Sequence, residues 1–509
     1  MRPLPIIKPT IWPTLNLSNF YGGLNKRDAS SEIADNEVQD LLNVNFADSG
    51  GVSKRKGTNI VGDDKGANIV RGLYAAYYGG SSAKMLMANQ DASTSGLWYR
   101  TTGNYTEAGL DAGGSKLANA DTEFENFLDV GGSQRIFVAD NTRYQKWSPA
   151  DNKIYACAAS PATISSIIRV YKNRMYARGT GTRADRIYFS ALGNGESWGA
   201  SDYFDVPSQS PGEAGSTGDS IRALAVLQDR LIILKTRSIW TWDGTRLRKL
   251  SDAHGALSRR AWAANDNYLY FADNDGVYAL SGTSIRKISK KIQPVWDLIP
   301  ATTLGGVTLG LFKGKLYVAT ATTGATINNI ILVNYTELPQ DDEGQQSWSY
   351  WKGTTANPLS ANSFITYESS SSAAEIFVYG CANTQGATVQ LETGNADYDF
   401  AGPAQNESID GYYKTKDYPL SARFKKLFLS LKSRASSYDL NVTATIDYKT
   451  ARSLTYDMYD AAYASLTKGA NVAYNGKYIN YKFETSACSA RPFMVYDGKQ
   501  TFKPLRLRK

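Results

Sequence analysis

A chain of 509 residues with 44 glycines, 33 tyrosines, 17 phenylalanines and 10 tryptophans, 20% charged and formally +8 at pH 7, can bury a large core and hold more than one domain. Aromatic and glycine enrichment without long Leu/Ala/Glu/Lys runs indicates an all-β protein rich in turns. The charge fits a basic patch against phosphate or an acidic partner but falls short of a DNA-coating protein, and no apolar segment approaches the ~20 residues of a membrane-spanning helix.

The opening MRPLPIIKPTIWPTL is broken by prolines and lacks both a continuous apolar region and a small-residue cleavage site, so it does not read as a signal peptide. Residues 1–60 read as an arm. Within it Asp35-Asn36-Glu37, followed by Val38, Leu41 and Leu42, predicts an N-capped helix of two or three turns. Gly22-Gly23 and Gly50-Gly51 supply the flanking turns. So short a segment buries only a small face, so it packs on its own domain or reaches a neighbouring subunit.

From residue 61 to 394 one β unit recurs. Its clearest copies are adjacent, SIRALAVLQDRLIILKTRSIWTWDGTRLRKL from Ser220 and RRAWAANDNYLYFADNDGVYALSGTSIRKI from Arg259. Each holds an apolar strand, a short polar turn, an alternating strand, a second turn and a further strand. Units begin near Ile69, Phe124, Ile167, Ile221, Ala261, Val307 and Phe364, at a spacing of about 40 to 57 residues. That period predicts a β-propeller of about seven blades, with a long array of β-sandwiches as the rival. After Gly394 the pattern changes. Alternation at Phe424, Leu427, Leu429, Leu431, at Leu440, Val442, Ala444, Ile446 and at Ile479, Tyr481, Phe483 reads as half-buried antiparallel strands, which predicts a β-sandwich over 395–509.

The chemical inventory is sparse. The single histidine, His254 in SDAHGALS, reads as a turn residue, since no nucleophile elbow accompanies it. Cys157, Cys381 and Cys488 are odd in number and far apart, which predicts neither a disulfide framework nor a metal pair, and assembly in a reducing cytoplasm. The DNDG at Asp273–Gly276 lacks most of a calcium loop and reads as a hairpin turn. Asp129, Asp140, Asp185, Glu196 and Asp202 are carboxylates from which glycoside chemistry could draw a pair, but nothing singles out two of them. No phosphate-binding glycine loop precedes a helix. The expectation is therefore no enzyme, no catalytic residue, no cofactor and no metal.

Basic residues are the more suggestive group. Lys54, Arg55 and Lys56 follow the arm, and Arg506, Arg508 and Lys509 end the chain. Arg246, Arg248 and Lys249 end one repeat, and Arg286, Lys287, Lys290 and Lys291 end the next, which predicts a shared rim facing DNA or a partner. A solubilising face is the simpler reading.

Three stretches together resemble structural proteins of tailed bacteriophages. FYGGLNKRDASSEIADNEVQDLLNVNFADSGGVSKRKGT at Phe20–Thr58 is similar to their opening, RLIILKTRSIWTWDG and NYLYFADNDGVYALSG to the propeller of tail nozzle or head-completion proteins, and YINYKFE with PFMVYDGKQTFKPLRLR to their last strands. The resemblance implies a non-enzymatic virion protein of the tail or neck, assembled in the host bacterial cytoplasm. It implies a homo-oligomeric ring, a hexamer, that meets other tail or connector proteins and surrounds exiting double-stranded DNA, with lumenal loops as a gate. Pro207–Asp219 and Met458–Ala473 are candidate gate loops by length and small-residue content. The alternative is a tail adhesin or depolymerase propeller acting on glycan. A protein scaffold of the Trp-Asp repeat kind is disfavoured, since Trp242-Asp243 does not recur.

Overall fold

The computed structural model describes residues 13–505 apart from 48–49, 67, 79–81, 90–95, 112, 208–218, 371–372, 384, 403, 433–438, 459–464 and 486–492. The proline-rich opening up to residue 12, Cys488, Arg506, Arg508, Lys509 and most of the candidate loop 207–219 lie outside the described residues. The chain divides into two compact units. One comprises 57–337 and 352–405, the other 1–56, 338–351 and 406–509.

The first unit is a seven-bladed β-propeller. The innermost strands of the blades are Gly72–Tyr78, Glu123–Leu128, Ile168–Tyr171, Ile221–Leu227, Trp262–Ala264, Thr308–Phe312 and Ala361–Tyr367. Each packs on the next, and the last packs on the first, so they form a closed circle. All seven begin within three residues of the starts read from the repeat pattern. Within a blade the strands follow one another antiparallel, as in blade 4, where Ile221–Leu227, Arg230–Lys235, Ile239–Trp242 and Leu247–Ser251 lie side by side.

The tight connections are encoded locally. Gln228 and Asp229 both take positive φ, 47° and 58°, as do Lys172 and Asn173, at 43° and 56°; two such residues make the primed turn whose twist suits a hairpin. The core is a set of layers between blades. Ala223, Ile232, Leu234 and Ile239 of blade 4 pack on Leu269, Phe271, Tyr278 and Leu280 of blade 5, all nearly inaccessible to solvent. Gly310 shows why the innermost strands need glycine, since a Cβ there would sit 2.5 Å from that of Phe364, whose ring stacks on Phe377 at 5.2 Å.

Blade 7 is completed from the front of the chain. Its outermost strand is Asn59–Ile60, paired antiparallel with Thr388–Gln390. Thr388 fixes this junction: its backbone oxygen accepts from Val61 N at 2.8 Å, its Oγ1 donates to Val61 O at 2.7 Å, and the same hydroxyl meets the Tyr105 hydroxyl at 2.9 Å.

The second unit is one bent sheet. Its hydrogen-bonded path runs Gly23–Leu24, Glu37–Leu42, Gly411–Thr415, Ser465–Thr485, Tyr418–Lys432, Met494–Pro504, Val52–Lys54 and Val44–Phe46. Glu37–Leu42 and Val44–Phe46 are halves of one strand bent at Asn43, where φ is 53°. Because these halves sit near opposite ends of the path, the sheet returns on itself and nearly closes. The three alternations read after Gly394 point inward as expected, with Phe424, Leu427, Leu429, Leu431, Leu440, Val442, Ile446, Ile479, Tyr481 and Phe483 all buried.

Two expectations for the first 60 residues are corrected here. The helix at Asp35–Leu42 is a strand, Glu37–Leu42, paired with Gly411–Thr415. Its register shifts between Val38 and Asp40, and this bulge lets Val38 and Leu41 both face inward at a spacing that imitates a helix. The Glu37 carboxylate accepts from Ala34 N at 3.0 Å and Asn25 Nδ2 at 2.9 Å, holding a turn in place of a helix start. Nor are residues 13–56 an arm apart from the rest, because their strands belong to the same sheet as those after residue 410.

Thr388→Val removes the hydroxyl on which Val61 O and Tyr105 converge while keeping the side-chain volume. Val61 O then loses a buried donor and the Tyr105 hydroxyl keeps only Met85 Sδ, which is expected to lower unfolding stability by about 1–3 kcal/mol, measured by urea denaturation.

Candidate functional site: the axis of the propeller

Seven innermost strands leave an axial space of about 330 Å³, walled by Leu73, Phe124, Trp262, Leu309, Phe364 and Phe377. Its charged members come from the segments that enter blades 2, 3 and 5. Arg259 and Arg260, just before Trp262–Ala264, reach across the circle. Arg259 donates through Nη1 to Thr122 O and through Nη2 to Arg71 O, both at 3.0 Å. Arg260 donates through Nη1 to Asn362 O at 3.1 Å and through Nη2 to Asp121 Oδ1 at 3.1 Å, and also contacts Arg71 O. Blade 5 is thereby tied to blades 7, 1 and 2 through backbone carbonyls.

A buried guanidinium needs acceptors around its edges; the strand entries supply most of them, and Arg259 Nε faces Asp121 Oδ2 at 3.3 Å. Burial and the adjacent Arg259 charge bring Arg260 down to about 9, against the pull of Asp121, so it stays charged at neutral pH. Burial raises the Asp121 carboxyl, but Arg260 and Arg259 outweigh it and hold it at about 2. The two side chains and Asp121 thus occupy one end of the axis.

Deeper in, Arg169 lies between two glutamates, with Nη1 at 2.5 Å from Glu125 Oε1 and Nη2 at 3.5 Å from Glu123 Oε1. Its Nε donates to Leu224 O at 3.1 Å, and its guanidinium lies over Trp262. Two buried carboxylates share one cation. Burial raises both, and Glu125 is pushed up to about 7, with Arg169 opposing. The arrangement braces blades 2, 3 and 4.

Of the carboxylates considered for glycoside chemistry, Asp129 and Glu196 are drawn to the same lysine, Lys146. Asp129 Oδ1 accepts from Gly131 N and Ser133 N at 2.9 Å. Asp140, at the other end of blade 2, accepts from Ala118 N, Thr142 N and Arg143 N. Glu196 accepts from Val130 N at 3.0 Å, Ala158 N at 2.7 Å and Lys146 Nζ at 2.7 Å. Lys146 also stands 3.7 Å from Asp129, so the two carboxylates that do approach each other have a lysine between them. Asp202 holds Gly199 N at 3.0 Å. Asp185 offers its backbone oxygen to Val206 N at 2.9 Å.

His254 is a turn residue, as expected, its N–H donating to Ser251 Oγ at 3.2 Å. Its ring lies on Tyr278 at 4.3 Å, with Nδ1 3.4 Å from Asp273 Oδ2. Asp275 completes a cluster of three possible ligands. It already accepts from the Tyr278 hydroxyl at 2.7 Å and from Lys287 Nζ at 3.1 Å, so a lysine supplies the positive charge. Asp273 pairs with Gly276 across the expected hairpin. Burial pushes the Cys157 and Cys381 thiols up, which leaves both protonated.

The basic residues predicted to share a rim do hold matching places. Arg248 pairs with Thr241 and Lys249 with Trp240, while Arg286 pairs with Ala279 and Lys287 with Tyr278. These are the outermost strands of blades 4 and 5, so they lie on the circumference and away from the axis. Arg246 sits in the turn before them, and Lys290 and Lys291 in a 3-10 turn after, with Lys291 buried. Lys54 and Arg55 are buried in the other unit. Of the second candidate loop, 459–464 lies outside the described residues and Ser465–Ala473 is strand.

No protein-family model matches the chain, and no curated protein matches it. Among solved structures it is similar to an exo-β-1,3-galactanase from Phanerochaete chrysosporium, at 12% identity and a TM-score of 0.24, covering 70% of this chain and 98% of that one. It is also similar to the extracellular domain of a hybrid two-component system from B. thetaiotaomicron, at 9% identity and a TM-score of 0.41, covering 91% and 62%, and to a puromycin-hydrolysing peptidase of Mycobacterium tuberculosis, at 14% and 0.35, covering 71% and 62%. At these scores none of the three bears on function. The class of protein is defined by its own strands, an all-β chain with a seven-bladed propeller and a nearly closed second sheet.

Glu125 gives a pH-dependent consequence. Its carboxyl is raised from 4.5 to about 7 in the folded chain, so the folded state holds a proton that the unfolded state has released. Its contribution is complete below about pH 4.5 and is lost as pH rises through about 7. Glu125→Gln is expected to remove this fall, so the stability difference between wild type and variant changes across pH 4.5–7 and is flat above, as read from denaturant midpoints.

Proposed function

We propose that this chain is a non-enzymatic structural protein of a tailed-bacteriophage virion. It forms a ring, a hexamer, at the tail nozzle or the head-to-tail neck, meets other tail or connector proteins, retains packaged DNA and surrounds it on ejection. Assembly takes place in the host bacterial cytoplasm. The observation that carries this reading is the arginine clamp. Arg259 and Arg260 close one end of the propeller axis by holding Arg71 O, Thr122 O and Asn362 O. A propeller tied in this way is a rigid block, which suits a load-bearing wall. The passage for DNA then runs between copies, and the outward Arg248 and Lys249 on blade 4 supply weak, sequence-independent attraction for phosphate or an acidic neighbour.

Support also comes from Asp129, Asp140, Glu196 and Asp202, which accept from backbone amides and, at Glu196, from Lys146. No helix among the described residues is long and apolar enough to cross a membrane.

The reading is tested by an amber mutation in the gene for this chain. Particles made without it are expected to lose packaged DNA, and quantitative mass spectrometry of wild-type particles to find six copies per virion. DNA-filled amber particles, or absence of the chain from purified virions, would contradict the proposal.

A further inference from the structure

A groove of about 380 Å³ lies where blades 5, 6 and 7 approach one another, next to the axial space, with which it shares Leu311 and Thr366. Its floor is aromatic. Tyr268 is 39% exposed although it opens the strand Leu269–Asp273, and its ring lies 5.9 Å from that of Tyr270. Phe312, stacked on Phe377 at 5.1 Å, forms the adjoining wall. Around these rings stand Asn267, Lys313, Glu337 and Glu375, all exposed. Among the described residues their side chains make no hydrogen bond or ion pair, and Lys313 only lies over the Phe312 ring.

An exposed ring bordered by two free carboxylates, an amide and an amine is an unusual combination for a solvated surface. Ordinary loop carboxylates of this protein cap backbone amides, as Asp129 and Asp140 do. A pyranose ring matches the combination: its C–H face packs on Tyr268, its hydroxyls donate to Glu337 and Glu375, and the same hydroxyls accept from Lys313 and Asn267. A cationic peptide would meet Lys313, and an anionic one the two glutamates.

We propose that this groove binds a neutral oligosaccharide, with Tyr268 as the stacking platform and Glu337, Glu375, Lys313 and Asn267 as its hydrogen-bonding rim. The site binds without cleaving. It stands apart from the virion reading, since a sugar site could serve any extracellular or particle-borne propeller.

The test is saturation-transfer NMR on the full chain with cellohexaose, maltohexaose, mannohexaose and galactohexaose as probes, and a Lys/Arg-rich peptide as a competitor class. At least one sugar is expected to receive saturation, strongest at its ring C–H protons. Tyr268→Ala is expected to weaken that binding about tenfold or more, the effect of losing ~1.4 kcal/mol of ring contact, with Tm unchanged, whereas Tyr268→Phe retains it. The double variant Glu337→Gln, Glu375→Gln weakens it without loss of fold. Saturation of none of the four sugars, binding untouched by Tyr268→Ala, or binding of the peptide alone would overturn the proposal.

Discussion

Closing a circle of seven blades is the constraint on which the larger unit depends. Each innermost strand buries one flank on the previous blade and one on the next, so a gap anywhere would leave two apolar layers exposed. The chain meets this in two ways. Asn59–Ile60 completes blade 7 from the opposite end of the sequence, and Arg259 with Arg260 links blade 5 to three blades across the axis. The second is chemically costly, because it buries two like charges side by side. It persists because main-chain carbonyls at the strand entries accept from both guanidiniums, and because Asp121 supplies a counter-charge.

The second unit closes by a related device. Its sheet returns on itself through the strand bent at Asn43, and the buried Arg55 holds that bend, with Nε donating to Asn43 Oδ1 at 2.9 Å and Nη1 to Lys56 O at 2.9 Å. Asn43 Nδ2 in turn donates to Asp410 O at 2.8 Å. Trp351 Nε1 and Ser349 Oγ both donate to Val44 O, one residue further on. In each unit a guanidinium anchored on main-chain oxygens fixes the place where a sheet or circle must close.

Much of the propeller was legible in the sequence, because period-two alternation and turn pairs such as Gln228-Asp229 and Lys172-Asn173 are local signals. Seven strand starts could be read from them. The strand at Glu37–Leu42 could not, since its inward residues fall three apart across a bulge, the spacing of a helix. The clamp was missed for a different reason. Arg259 and Arg260 stand just ahead of the repeat that begins at Ala261, and their acceptors at Arg71, Thr122 and Asn362 are distant in sequence. The basic residues of blades 4 and 5 were correctly matched to each other, yet period alone does not tell an outer strand from an inner one. The groove at Tyr268 draws on three blades, and no single stretch announces it.

In the proposed reading a rigid, internally clamped propeller serves a mechanical role, in which strength matters more than an open axial site and the passage for DNA lies between subunits. The most direct test is an electron cryomicroscopy map of the particles in which the proposal places this chain. Six copies are expected around the tail or neck axis, with genome density running between them and the Arg259–Arg260 end of each propeller closed. A map in which DNA threads the axis of a single propeller, or in which the chain has no place in the particle, would contradict it.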